Sequence, residues 1–276
     1  MKTWLITGAS SGLGLLMCES LLARGDRVVA SVRREAVLDS LRAQYGDNLQ
    51  VIVLDISRIA TIKPVIEAAF AQAGRIDVVV SNAAYGLFGA AEELSDEQIE
   101  RQIATNLTGS IQIIRAVIPF LRQQGGGRIV QVSSEGGQIA YPDFSLYHAT
   151  KWGIEGFVEA VRQEVAAFGI DFLLVEPGPT ETKFAAGLDI ADALPVYSDT
   201  AAGKLRAALT SGEFAIKGDA QKCVAAMIAA ADTDSVPLRL PLGSTAYDNI
   251  EMALNMRLNA LRAMKTVAYS ADRLEV

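Results

Sequence analysis

The sequence has little histidine and cysteine: His148 is its single histidine, and Cys18 and Cys223 are its two cysteines. One histidine excludes a histidine-rich metal site. Both cysteines lie in apolar stretches with helical spacing, which indicates reduced thiols in a hydrophobic core rather than a disulfide framework. We therefore predict a cytoplasmic protein without a metal site.

Long apolar runs and an excess of positive charge are also missing. No stretch approaches the roughly 20 consecutive apolar residues that a membrane-spanning helix needs, and the N-terminus lacks the pattern of a signal peptide. Asp and Glu number 32 against 25 Lys and Arg, which gives a formal net charge of −7. Nucleic-acid-binding domains are usually basic, so we predict neither a nucleic-acid nor a membrane partner.

The 276 residues are 50% hydrophobic, enough for one sizeable core, and short strand patterns alternate with longer helical patterns. The predicted strands read TWLITG, RVVASV, LQVIVLDI, IDVVVSNAA, GGGRIVQVSS and IDFLLVEPG. Near-continuous Val, Ile and Leu runs between helices are typical of a parallel sheet covered on both faces. We predict one α/β domain over residues 1–276, a doubly wound Rossmann fold whose mainly parallel sheet has helices on both faces.

The regular alternation ends near Pro179. Residues 180–215 are predicted to be irregular, and two helices are predicted near 219–231 and 245–265, on either side of the apolar run VPLRLPLG. We interpret 183–215 as a substrate-binding lid and 216–276 as a C-terminal extension.

The first predicted strand is followed by small residues, GASSGLG. They form the pattern Thr7-Gly8-x-x-x-Gly12-x-Gly14, which leads into a predicted helix. Backbone N–H groups at such a helix N-terminus bind phosphate, and the absence of side chains lets the phosphate approach the backbone. Because this is the first strand–helix unit of an open parallel sheet, the pattern predicts a dinucleotide site.

Two arginines, Arg33 and Arg34, follow the second predicted strand, and Arg33 lies 19 residues after Gly14. About 20 residues after the turn, such folds carry an acid for a ribose 2′-hydroxyl or an arginine for a 2′-phosphate. The acidic alternative, Glu35, comes two residues later than Arg33. Paired guanidinium groups suit a phosphate dianion, so we predict a preference for NADP(H), with NAD(H) as the alternative.

Tyr147 and Lys151 are four residues apart in a predicted helix, so their side chains share one face. A free phenol has a pKa of about 10, and a neighbouring ammonium group favours the phenolate. Ser134 ends the fifth predicted strand, and Asn106 lies within the preceding long helix. Taken singly, each residue has a structural interpretation. Together they are the candidate catalytic group, because open α/β sheets place their sites at the carboxyl ends of the strands.

In order along the chain, these motifs resemble the single-domain short-chain dehydrogenase/reductases over residues 3 to about 182. The ordered set is Thr7-Gly8-x-x-x-Gly12-x-Gly14, Asp55, Asn82-Ala83, Asn106, Ser134, Tyr147-x-x-x-Lys151 and Pro177-Gly178. The resemblance implies that Tyr147 exchanges a proton with the substrate oxygen, that Lys151 lowers the pKa of Tyr147, and that Ser134 binds the substrate carbonyl. It also implies that Asn106 holds a water molecule that links Lys151 to solvent.

The resemblance further implies a nicotinamide cofactor, with the adenine at Asp55. Thr180 and Thr182 would help to frame the nicotinamide. The full set of expected cofactor-binding residues is Gly8, Ser10, Ser11, Gly12, Leu13, Gly14, Arg33, Arg34, Asp55, Ile56, Asn82, Ala83, Ala84, Tyr147, Lys151, Pro177, Gly178, Thr180 and Thr182. Ala84 stands where the family usually has glycine, and we expect its methyl group to be tolerated.

The implied function is NADP(H)-dependent interconversion of a carbonyl and an alcohol on a fairly apolar small molecule. The sequence as a whole resembles the 17β-hydroxysteroid-dehydrogenase-like branch of the short-chain dehydrogenase/reductases. The expected pocket has no obvious charged anchor and consists of Leu87, Phe88, Tyr141, Phe144, Phe184, Leu188, Leu194, Val196 and Tyr197. Two alternatives stay open, a non-catalytic NADP(H)-binding regulator and a nucleotide-sugar epimerase or dehydratase. Family members pair through helices that correspond to 97–122 and 147–168, which implies a homodimer or homotetramer.

Overall fold

The computed structural model describes residues 1–211 and 215–273. Residues 212–214, in the predicted lid, and 274–276, at the end of the predicted extension, lie outside the described residues. No helix in the described part of the chain is both long and apolar enough to cross a membrane.

Seven parallel strands form the central sheet, and their spatial order differs from their chain order. With the two strands of a separate pair, β5 and β8, the strands in chain order are β1 (Thr3–Thr7), β2 (Arg27–Val32), β3 (Leu49–Val53), β4 (Val78–Ser81), β5 (Leu87–Phe88), β6 (Gly127–Val132), β7 (Ile170–Pro177), β8 (Asp189–Ile190) and β9 (Arg239–Leu242). The order across the main sheet is β3-β2-β1-β4-β6-β7-β9, and β5 pairs with β8 separately. The order reverses direction next to β1, which is where a doubly wound sheet opens a crevice.

Helices cover both faces of this sheet. The α-helices of the described residues are α1 (Gly12–Ala23), α2 (Asp39–Tyr45), α3 (Ile59–Ala73), α4 (Asp96–Gln102), α5 (Ser110–Gln123), α6 (Ser145–Val165), α7 (Ala201–Ser211), α8 (Ala220–Asp232), α9 (Ser244–Ala263) and α10 (Lys265–Tyr269). One hydrophobic core lies under α1 and α8, and a second lies under α3, α5 and α6. The predicted doubly wound α/β fold is thereby confirmed.

The strands are buried on both sides because their side chains alternate between the two cores. In β1, Trp4 and Ile6 belong to the core under α1, whereas Leu5 belongs to the core under α3. Successive residues of a strand point to opposite faces, so a strand buried on both faces has the continuous apolar sequence seen here. Both cysteines are free and buried in helices, as predicted.

Three local predictions were incomplete. The predicted helix over 97–122 is interrupted by a π-helix, Ile103–Gly109, between α4 and α5. The segment predicted to be irregular contains α7 and the short strand β8. The apolar run VPLRLPLG forms β9, which adds a seventh strand at the edge of the sheet beside β7.

Candidate active site

A cavity of about 780 Å³ opens at the carboxyl ends of the central strands. It is lined by most of the predicted site residues, namely Gly8, Ser10, Ser11, Gly12, Leu13, Arg33, Asp55, Ile56, Asn82, Ala83, Ala84, Ser134, Tyr147, Lys151, Pro177, Gly178, Thr180 and Thr182. Gly14, Arg34 and Asn106 do not line it. The cavity extends from the Gly-rich turn after β1 to α6, the helix that contains Tyr147.

The Gly-rich turn packs so closely that Gly8 and Gly14 have no room for a side chain. Gly8 has a φ of +68°, and a Cβ atom on Gly14 would lie 2.4 Å from the carbonyl oxygen of Gly8. Ser11 is the N-cap residue of α1, but its side chain makes no capping hydrogen bond. The first N–H groups of α1 are therefore available to an anion, and the turn fits a phosphate group.

The loop after β4 is fastened to this turn by Thr7 and Asn82. The Thr7 hydroxyl accepts hydrogen bonds from the backbone N–H groups of Asn82 at 2.9 Å and Ala83 at 3.1 Å. The Asn82 amide donates to the carbonyl of Thr7 at 2.9 Å. Ala84 follows in the same loop and does not have a positive φ, so its methyl group causes no backbone strain.

The predicted ribose end of the cavity carries one of the two arginines. Arg33 is exposed at the end of β2 and lines the cavity, whereas Arg34 lies outside it. Neither forms an ion pair with a carboxylate of residues 1–211 or 215–273, which leaves the Arg33 guanidinium available to a ligand phosphate. Asp55 also lines the cavity, and its carboxylate accepts hydrogen bonds from the N–H and hydroxyl of Ser57.

Tyr147 and Lys151 lie one helical turn apart in α6, and both are buried. The Lys151 ammonium group donates to the carbonyl of Val132 at 3.0 Å and lies 5.5 Å from the centroid of the Tyr147 ring. The Ser134 hydroxyl accepts the N–H of Gly136 at 3.1 Å and also interacts with the Tyr147 phenol. The end of β6 and the first turns of α6 thus bring two hydroxyl groups and one ammonium group together.

Burial changes the proton affinity of both α6 residues. It raises the pKa of the Tyr147 phenol to about 12, against the opposing effect of the neighbouring Ser134 hydroxyl. It lowers the pKa of the Lys151 ammonium group to about 8, against the opposing charge of Glu155. The expected lowering of the Tyr147 pKa is not found, because burial of the phenolate is the largest influence on it.

Replacing Lys151 with methionine is expected to raise the free energy of unfolding at pH 7 by about 1–3 kcal/mol, because it removes a buried charge. Burial lowers the pKa of Lys151 from 10.5 in the unfolded chain to about 8. Between those values the unfolded chain binds more protons, so wild-type stability rises with pH. The advantage of methionine is therefore largest below pH 8 and shrinks towards pH 10.5.

Urea unfolding at several pH values measures this difference. Lys63→Met is the matched control, because the Lys63 side chain is 79% exposed, and we expect no comparable gain there. A Lys151→Met protein less stable than the wild type at pH 7 would contradict the interpretation.

Asn106 lies beside the cavity rather than in it. It is buried in the π-helix, and its amide oxygen accepts the N–H of Tyr85 at 3.1 Å while its amide nitrogen donates to the Tyr85 carbonyl at 2.8 Å. π-Helical turns are frequent at functional sites. Here the turn holds the loop after β4 in place, and the water-binding role implied for Asn106 stays a prediction.

The segment after β7 packs over the catalytic end of the cavity. The Phe184 ring packs against the Tyr147 ring at 5.7 Å between centroids, and a Cβ atom on Gly86 would lie 2.5 Å from Leu188. The pairing of β5 with β8 holds this segment against the loop after β4. Asp189 of the same segment is bound by Arg101 and, at 3.0 Å, by Gln98 of α4.

The predicted pocket was correct only in part. Tyr141, Phe144, Phe184 and Leu188 line the cavity, whereas the remaining predicted residues, Leu87, Phe88, Leu194, Val196 and Tyr197, do not. The expected absence of charged groups was wrong, since the cavity is also lined by Arg101, Glu135, Lys183 and Asp189. Glu135 could have been noticed from the sequence, because it directly follows Ser134.

His148 forms two hydrogen bonds within the fold. Its Nδ1–H donates to the carbonyl of Gly136 at 2.9 Å, and its Nε2 accepts the N–H of Tyr141 at 2.8 Å. A carbonyl can only accept and an amide N–H can only donate, so these bonds define a neutral imidazole. Burial lowers the pKa of His148, in keeping with that state.

Comparison with known proteins assigns most of the chain to one family. The family model described as short chain dehydrogenase matches residues 2–192. Oxidoreductase BOA17 of Botryotinia fuckeliana is 39% identical over 185 residues, 67% of this chain and 68% of that protein. The 3-ketodihydrosphingosine reductase of Bacteroides thetaiotaomicron is 32% identical over 202 residues, 73% of this chain and 72% of that protein.

A solved structure matches the chain throughout. A short-chain dehydrogenase from Streptomyces avermitilis superposes with a TM-score of 0.90 and 36% identity, covering 99% of this chain and 100% of that chain. A serine dehydrogenase complexed with NADP⁺ shares the fold, with a TM-score of 0.74, 24% identity and coverage of 87% and 94%. On its fold, its site geometry and these matches, the chain belongs to the short chain dehydrogenase family.

Proposed function

We propose that this protein is an NADP(H)-dependent oxidoreductase that interconverts a carbonyl group and an alcohol on a small molecule. The observation that carries the proposal is the meeting of the Ser134 and Tyr147 hydroxyls beside Lys151, in a cavity that also contains the Gly-rich turn. A non-catalytic regulator is not favoured, since all three catalytic side chains are present. A nucleotide-sugar epimerase is not favoured either, because the matching relatives are described as an oxidoreductase and a reductase.

The cavity fits the cofactor. Gly8 lines the cavity, Gly14 lets α1 pack against the carbonyl of Gly8, and the uncapped N-terminus of α1 suits the pyrophosphate. Arg33 would hold the 2′-phosphate, and Asp55 would meet the adenine. The nicotinamide end would lie near Lys151 and the residues that follow β7, namely Pro177, Gly178, Thr180 and Thr182. When bound, NADP(H) supplies the hydride to the carbonyl carbon or accepts it from the alcohol.

The protein's own side chains donate the proton that the reduction requires. In reduction, Ser134 donates a hydrogen bond to the carbonyl oxygen and Tyr147 donates a proton to it. Burial holds the pKa of Tyr147 at about 12, so the phenol is protonated at neutral pH and can act as the acid. The nearby Lys151 ammonium group favours the phenolate that remains. Phe184 covers the Tyr147 ring and keeps water away from the transfer.

Thermal melting with NADP⁺ or NAD⁺ tests the cofactor assignment. A ligand at 100 times its Kd stabilises a protein by about 2.7 kcal/mol, so we expect NADP⁺ to raise the melting temperature more than NAD⁺ at equal concentration. Arg33→Ser is expected to weaken NADP⁺ binding about tenfold or more, because it removes a charge-assisted contact with the phosphate. Arg34→Ser removes the same charge from outside the cavity and is expected to have the smaller effect.

A larger shift with NAD⁺ would overturn the Arg33 assignment and leave the oxidoreductase. No shift with either dinucleotide would overturn the proposed function. The lid over 183–215, the C-terminal extension over 216–276, the 17β-hydroxysteroid-dehydrogenase-like branch and the homodimer or homotetramer remain predictions of the same proposal.

A further inference from the structure

Five acidic residues are buried among residues 1–211 and 215–273, and one of them differs from the rest. The five are Asp26, Glu135, Asp143, Glu155 and Glu176. Arginine pairs with four of them: Arg24 with Asp26, Arg206 with Asp143, and Arg239 with both Glu155 and Glu176. Within the described residues, Glu135 has no cationic side chain within 4.0 Å. Its negative charge is therefore left without a counter-charge in the folded chain.

Neutral groups alone satisfy the Glu135 side chain. One carboxylate oxygen accepts the Tyr141 hydroxyl at 2.8 Å, and the other accepts the Asn249 amide at 3.1 Å. A carboxylate has about four lone-pair sites, so half of its capacity to accept hydrogen bonds is unused. Burial of an ionised carboxylate without a cation is costly, and burial raises the pKa of Glu135.

Glu135 lies next to the proposed reaction centre. It directly follows Ser134, is 3% exposed, and lines the same cavity as Tyr147. Its charge acts on the phenol of Tyr147 and raises the pKa of that group. The other buried carboxylates pair with arginine, and Asp189 of the cavity pairs with Arg101. Since no cationic side chain of the described residues lies within 4.0 Å of Glu135, a cationic ligand in this cavity can supply its counter-charge.

We propose that Glu135 binds a protonated amine of the substrate, so that the substrates are amino alcohols and the corresponding amino ketones. This inference rests on the proposed function. An ammonium group brings three donors and a positive charge to the unused lone pairs of Glu135, and the apolar remainder of the molecule contacts Phe144, Phe184 and Leu188.

The amine takes no part in the bonds that form and break during the reaction. In oxidation, the C–H bond of the carbinol carbon breaks and its hydrogen leaves with both electrons as hydride to NADP⁺. The hydroxyl proton passes to Tyr147 in its phenolate form, after the phenol has released its own proton to solvent. The C–N bond stays intact, and the ammonium group remains on Glu135 throughout.

Binding measurements test the anchor without turnover. We would titrate hexylammonium and 1-hexanol into the NADP⁺-saturated protein by calorimetry. Wild type is expected to bind hexylammonium about tenfold more tightly than 1-hexanol, and Glu135→Gln is expected to remove that preference. Glutamine keeps the shape and the hydrogen bonds with Tyr141 or Asn249 while removing the charge, and the matched binding of 1-hexanol reports that the cavity is intact.

Asp189→Asn is the matched control. It removes one negative charge from the same cavity, but from a carboxylate that Arg101 already pairs. The ratio of the two affinities is expected to stay as in the wild type. Equal affinities in the wild type, or a preference that survives in Glu135→Gln, would overturn the inference.

Turnover separates this inference from the proposed function. Oxidation of 1-amino-2-hexanol is compared with that of 3-heptanol, in which a methyl group replaces the ammonium group, by following NADPH formation. We expect kcat/KM to favour the amino alcohol about tenfold or more in the wild type. Equal kcat/KM values would overturn the anchor and leave the oxidoreductase. An ammonium preference in binding with no oxidation of either alcohol would overturn the oxidoreductase and leave the anchor.

Oxidised nicotinamide is the other cation that this cavity is proposed to hold, and the cofactor affinities distinguish it. Glu135→Gln is expected to change the dissociation constants of NADP⁺ and NADPH by the same factor. A loss of about tenfold for NADP⁺ alone would assign the charge of Glu135 to the nicotinamide and overturn the substrate anchor.

Discussion

Tyr147→Phe is expected to lower kcat by about 10²- to 10⁴-fold, because general acid–base catalysis contributes about that much. The variant loses one oxygen atom and keeps the ring, so its contacts with Phe144 and Phe184 remain. Without the phenol, no neighbouring group takes over the proton. Ser134 carries an aliphatic hydroxyl, which is a far weaker acid than a phenol, and the Lys151 ammonium group donates to the carbonyl of Val132.

Steady-state rates with NADPH and a ketone identified by screening measure this effect, and a cofactor titration accompanies them. The dissociation constant of NADPH is expected to stay within about twofold, because the defect lies in proton transfer. Tyr247→Phe makes the same chemical change at a side chain that is 56% exposed and serves as the control. If Tyr147→Phe retained a tenth or more of the wild-type kcat, Tyr147 would not be the acid.

Gly14→Ala is expected to weaken cofactor binding by about tenfold or more and to lower the free energy of unfolding by about 1–3 kcal/mol. The added Cβ atom would lie 2.4 Å from the carbonyl oxygen of Gly8 and 2.7 Å from the amide nitrogen of Asn82. Both neighbours are fixed by hydrogen bonds with Thr7 or by the backbone itself, so the turn must move. Movement of the turn changes the N–H groups that are proposed to bind the pyrophosphate.

Gly156→Ala provides the control within the same fold. Gly156 lies in α6, and a Cβ atom there would have no neighbour within 4 Å. Alanine in a helix is more favourable than glycine by about 0.5–1 kcal/mol, so this variant is expected to be more stable than the wild type. Urea unfolding and NADP⁺ titration of both variants make the comparison. Two variants that behaved alike would show that the turn is not tightly packed.

The elements nearest the Gly-rich turn could be predicted well from sequence, because local patterns specify them. The stretch RVVASV matches β2 residue for residue, and the run of small residues lies between β1 and α1 as expected. Tyr147 and Lys151 share a helix face because helical geometry places residues four apart together. In these places periodicity and spacing depend on neighbours in the chain alone.

The features that the sequence did not predict depend on contacts between distant segments. The π-helix adds one residue to a turn around polar Asn106, where the apolar spacing carries no signal. The strand β9 has four residues, one of them Pro241, and pairs with β7 only through the folded sheet. Glu135 was a visible residue, but its lack of an arginine partner becomes meaningful only beside the paired carboxylates of the rest of the fold.

Asn249 of α9 binds the cavity residue Glu135 from far beyond residue 192, where the match to the family model ends. The cavity therefore depends on two parts of the chain: the part that matches the family model, which contains Tyr147 and the Gly-rich turn, and a later part, which holds Glu135 by a hydrogen bond. Natural variation in the last third of such chains can change which molecules are accepted while the hydride and proton chemistry stays the same. The range of substrates and the chemistry of the reaction then depend on different segments of one chain.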